Sequence, residues 1–126
     1  MKFKTLMIIK AVVCLGFAPL LLFLPGPLLK LLGASFGSGA VLLAREYGAA
    51  LCGNLMLTWF ARNAEASVAR WAIILALFVY DAVAFVATLI IQLSGGLNVL
   101  GWGIVVLYLF FAAGFGYLLH TPEVSS

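Results

Sequence analysis

AVLLAREYGAALCGNLMLTWFAR, residues 40–62, has the length of a membrane-spanning helix but carries three residues that hydrocarbon resists: Arg45, Glu46 and Asn54. Each charge costs roughly 2.5–3.5 kcal/mol at a bilayer centre on insertion scales, and less near an interface. A second acid, Asp81, stands midway along a later apolar run. The rest of the chain decides whether this is a soluble or a membrane reading. Of its 126 residues, 66% are apolar and 9% charged, against roughly half and a quarter in a soluble domain. Too little polar surface exists to coat a water-soluble monomer, so one integral membrane domain covering 1–126 is expected.

Around that stretch the chain divides into four apolar segments, at about 5–24, 40–61, 68–93 and 97–119, each close to the ~20 residues a bilayer core requires. The expected fold is an all-α four-helix transmembrane bundle. Pro19 should kink the first helix and Pro25-Gly26-Pro27 should end it. Leu28 to Leu32, with Lys30 among them, are too few to span and read as a short interfacial segment. A Gly- and Ser-rich loop, 33–39, follows. Ser67 is placed to cap the third helix, and Ser94-Gly95-Gly96 to turn the chain into the fourth. The polar residues after Thr121 read as a frayed tail. Trp59, Trp71 and Trp102 sit near helix ends as interfacial anchors.

Lys2, Lys4 and the apolar run after them resemble a signal peptide, but Lys10 interrupts that run. An uncleaved first span is expected. Lys2, Lys4, Lys10, Arg62 and Arg70 then collect on one side, against Lys30 and Arg45 on the other. The positive-inside rule puts both termini in the cytoplasm.

Several chemistries are excluded. The net charge of +3 is spread singly, without a basic run or face, which argues against nucleic acid. His120 is the lone histidine, and Cys14 and Cys52 are far apart, so no metal or cofactor site is expected. Nothing marks a nucleophile or a phosphate loop, so enzymatic activity has the least support.

What remains is a cluster of polar residues inside the membrane: Arg45, Glu46, Asn54, Tyr80, Asp81, Thr88 and Gln92. Asp81, Thr88 and Gln92 share one face of the third helix at 100° per residue. The short connection between the second and third spans implies antiparallel neighbours, which brings Arg45 opposite Asp81. Tyr108 needs a hydrogen-bond partner and is placed to line the same space. Ala44, Gly48 and Cys52 form a small-residue row that permits close helix approach, and Ala72, Ala76 and Ala84 form another. Gly101, Gly103, Gly114 and Gly116 read as packing glycines.

The four spans, the Pro-Gly-Pro break, the Arg45-Glu46-Tyr47-Gly48-Ala49-Ala50 run and the Gly114-Phe115-Gly116-Tyr117 close resemble small bacterial inner-membrane proteins of DoxX-like type. The resemblance implies a bacterial plasma-membrane location and a compact four-helix bundle, and transfers no catalytic residue. Two functions are consistent with these readings. One is a non-enzymatic, self-associating bundle or accessory subunit, partnered by the lipid bilayer and by a second copy or another membrane protein. The other is binding or transport of a small polar or amphipathic molecule in an outward-facing cavity, proton-coupled through Asp81.

Overall fold

A computed structural model describes residues 2–34 and 37–120. Their regular structure is helical throughout: α1 (Phe3–Phe23), α2 (Pro25–Leu31), α3 (Ser38–Ala61), α4 (Val68–Leu93) and α5 (Gly101–His120). Three of these, α1, α4 and α5, are long and apolar enough to cross a membrane. Their outward faces carry Val12, Leu15, Val83, Val86 and Val106, each more than half exposed, as a lipid-facing surface requires. These features mark a membrane protein. At 24 residues α3 has the length to span, but it is not among the apolar three.

The helix ends follow local chemistry. The Ser67 hydroxyl accepts a hydrogen bond from the Arg70 backbone N–H at 3.1 Å and caps α4 as expected. Pro25 opens α2, where its missing N–H has no intrahelical partner to lose. Gly33, at φ 74°, closes α2, with its N–H bonded to the Lys30 carbonyl and the Ala34 N–H to the Leu29 carbonyl. Gly95, at φ 81°, turns the chain after α4. The last helix begins at Gly101 and not at residue 97, because Asn98 is engaged elsewhere. Its side-chain oxygen accepts from the Leu100 N–H, its amide donates to the Leu31 carbonyl, and its own N–H donates to the Leu32 carbonyl. Asn98 thereby ties the α4–α5 turn to the end of α2. The expected tail after Thr121 and part of the 33–39 loop lie outside the described residues.

Helix pairing departs from the sequence reading. The backbones of α1 and α3 lie against each other, as do those of α4 and α5, whereas α3 and α4 barely meet. The reason lies in side-chain size. Gly48 presents no Cβ to α1, and one built there would stand 3.0 Å from Leu21 Cβ and 3.1 Å from the Leu22 backbone nitrogen. That close approach uses the Ala44–Gly48–Cys52 row. By contrast, Ala72 and Ala76 of α4 are exposed. On α5, Gly114 admits Leu6 and Gly116 admits Phe78, while Gly103 faces open space.

Two cores result. Phe3, Leu6 and Met7 of α1 pack with Ile74 and Leu77 of α4 and Phe111, Phe115 and Leu118 of α5 at one end. Toward the other end, Cys14, Ala18 and Leu21 pack with Ala44 and Leu51 of α3. The two helix pairs are therefore joined firmly at the α1 N-terminal end, and again through Asn98 at the opposite end. Between these joints they leave a gap.

Candidate functional site

The gap is a partly open cavity of about 140 Å³. Its walls are mainly apolar, with Val13 and Phe17 from α1, Leu28 from α2, Leu51 from α3, and Ile104 and Leu107 from α5. Five lining residues carry polar atoms: Lys10, Cys14, Tyr47, Tyr80 and Tyr108.

Lys10 is the group that organises one wall. Its side chain is almost fully buried and its ammonium lies 2.5 Å from Asp81 Oδ1. The Tyr80 ring centroid is 4.7 Å away and that of Phe111 4.6 Å, so the cation is held between two π faces and one carboxylate. Asp81 itself has no exposed surface. Its second oxygen, Oδ2, is buried without a hydrogen-bond partner among the described residues. The ammonium thus has a carboxylate and two ring faces, whereas the carboxylate depends on the ammonium.

The three tyrosines come from three helices. The Tyr47 hydroxyl is hydrogen-bonded to those of both Tyr80 and Tyr108. The Tyr80 and Tyr108 rings meet edge-on, at 77° with centroids 6.2 Å apart. Each phenol has a single O–H donor. Each hydroxyl also accepts, so the three phenols bond one another and present their hydroxyls as one polar cluster at the cavity. Lys10 adds further N–H donors beyond its bond to Asp81. The polar part of this apolar cavity is thus rich in donors, and a buried donor without an acceptor is costly.

The residues expected to meet in the membrane divide accordingly. Tyr80 and Asp81 belong to the buried cluster, and Tyr108 lines the cavity as expected. Arg45 and Glu46 are exposed on α3, so the expected Arg45–Asp81 approach is replaced by Lys10–Asp81. The physical reason is the pairing of α3 with α1, which points the other side of α3 outward. Gln92 is buried, but its amide donates to the Asn98 carbonyl at 3.1 Å and so supports the turn at the far end. Asn54 is half-buried, and its backbone carbonyl accepts from the Thr58 hydroxyl at 2.7 Å. Thr88 is also half-buried and does not line the cavity. Lys10 and Tyr47 are the residues that sequence reasoning missed as site members. Among the described residues no group of three or more metal-ligating side chains forms.

No protein-family model matches the chain, and neither a curated protein nor a solved structure matches it.

Proposed function

We propose that this protein is a four-span bundle that binds a small amphipathic molecule in the cavity between its two helix pairs. The ligand's apolar body lies against Val13, Phe17, Leu51 and Ile104, and a hydrogen-bond acceptor on it meets the phenol cluster. The observation that carries this reading is the cluster of the Tyr47, Tyr80 and Tyr108 hydroxyls on the wall of an otherwise apolar cavity. Size supports it too, since an apolar cavity of about 150 Å³ accommodates a benzene ring. In this reading α3 is the fourth span, and the Lys10–Asp81 pair forms the polar floor on which proton coupling would depend.

The membrane is a bacterial plasma membrane, in line with the DoxX-like resemblance. With Lys10 committed to Asp81, orientation rests on Lys2, Lys4, Arg62 and Arg70 against Lys30 and Arg45. The balance still favours cytoplasmic termini, and the cavity then lies toward the outer side, next to α2.

The test uses purified protein in neutral detergent with two probes followed by fluorine NMR. Methyl para-fluorobenzoate carries an acceptor ester, and para-fluorotoluene has a similar ring without one. The ester is expected to bind saturably and more tightly. Tyr47→Phe combined with Tyr108→Phe should weaken it by roughly tenfold, the worth of one hydrogen bond in an apolar site, and leave the toluene unchanged. Equal binding of the two probes to the parent protein would sink the reading.

A second reading is favoured by a separate observation. Arg45, Glu46, Ala49, Ala50 and Gly53 form one exposed face of α3, with opposite charges at nearly the same depth. Under a two-fold axis along the membrane normal, Arg45 of one copy faces Glu46 of the next, and the small residues permit close approach. The bundle then self-associates or serves as a subunit of a larger assembly. A monomeric mass in lipid nanodiscs at high protein loading would remove this reading.

A further inference from the structure

The start of α1 and the end of α3 enclose a second, open cleft of about 410 Å³, lined by Lys2, Phe3, Lys4, Thr5, Arg62, Asn63 and Ala64. Three of these are cations and none is an acid. Glu65, the acid nearest in sequence, is exposed and is not part of the lining. Arg62 is held in place, its guanidinium 3.9 Å from the Trp59 ring and one of its nitrogens donating to the Trp59 carbonyl. Thr5 and Asn63 add neutral donors. The first turn of α1 has no side-chain cap, so its backbone N–H groups remain directed toward the same end. All of this chemistry suits an anion with several acceptor oxygens.

We propose that this cleft binds the phosphate of an anionic phospholipid headgroup. Phosphate matches a fixed guanidinium flanked by two mobile ammonium groups. A lipid is the source that fits the surroundings: Trp59, which holds Arg62, is exposed at a helix end, and its neighbour Phe60, at 75% exposure, adds apolar surface there. Basic pockets between membrane helices commonly hold such headgroups. The site is separate from the tyrosine cavity and does not depend on it.

The experiment places the full chain in nanodiscs of phosphatidylcholine and titrates phosphatidylglycerol or inorganic phosphate, with bound species counted by native mass spectrometry. Phosphatidylglycerol should be retained in preference to phosphatidylcholine. Lys2→Gln, Lys4→Gln and Arg62→Gln together should weaken that retention by roughly a hundredfold, since each basic residue near an anionic headgroup contributes about fivefold. Lys30→Gln, at the other end of the molecule, should change nothing. Phosphatidylglycerol retained equally by the triple variant would overturn the site. Inorganic phosphate that displaces the lipid at submillimolar concentration would overturn the lipid as its source.

Discussion

Lys10→Met is expected to destabilise the protein by about 3–5 kcal/mol, the usual consequence of removing one member of a buried ion pair. Asp81 lies at the middle of α4 with no exposed surface, so its carboxylate has no route to water once the ammonium is gone. Asp81→Asn should cost less, for two reasons on the lysine's side. The ammonium keeps the faces of Tyr80 and Phe111, worth about 2 kcal/mol when desolvated. It also sits only about 10 Å along α1 from Phe3, within reach of the interface by snorkelling. The double variant Lys10→Met with Asp81→Leu should recover most of the parent stability, because it removes both desolvation penalties at once. Denaturant titration in mixed micelles measures all three together with Asp81→Leu alone, which closes the cycle. Equal, additive losses would show that the two charges do not interact.

The same pair shows where sequence reasoning ran short. The three apolar helices, the Pro-Gly-Pro break and the Ser67 cap are local properties, set by composition and by residues a few positions apart. Helix pairing is not local. The short 62–67 link makes α3 and α4 consecutive, but Gly48 decides that α3 nests on α1. Once α3 is placed there, Arg45 and Glu46 turn outward and Asp81 must find another base. Lys10 read as a topology marker because it lies near a helix start.

The structure shows its depth. Arg70 lies over the Phe3 ring, which sets α1 and α4 level and parallel at that end. From that level Lys10 is seven residues along α1 and Asp81 eleven along α4, a difference of about 6 Å, comparable to a lysine side chain. Tyr108 was legible as a mid-membrane phenol needing a partner. Tyr47 was not, since its hydrogen-bond partners lie on two other helices and nothing local to α3 marks it. Only the three-helix convergence makes it the centre of the cluster.

Leu51→Trp should abolish probe binding while leaving the bundle at least as stable as the parent. Leu51 is buried on α3 and contributes to the cavity wall. An indole there would occupy part of the 140 Å³ now open, and filling a cavity commonly adds about 0.5–2 kcal/mol of stability. Its N–H also has phenol oxygens within the same cavity as acceptors. Binding of methyl para-fluorobenzoate should fall by at least roughly a hundredfold, because a site of one ring's volume cannot hold two rings. This outcome separates a ligand site from a structural packing defect more sharply than the phenol variants do. Loss of a hydrogen bond weakens a ligand that is elsewhere oriented, but loss of the volume excludes it. A Leu51→Trp protein that is stable, monodisperse and still binds the ester like the parent would place the ligand outside the gap between the helix pairs. The phenol cluster would then be a structural clamp joining α3, α4 and α5.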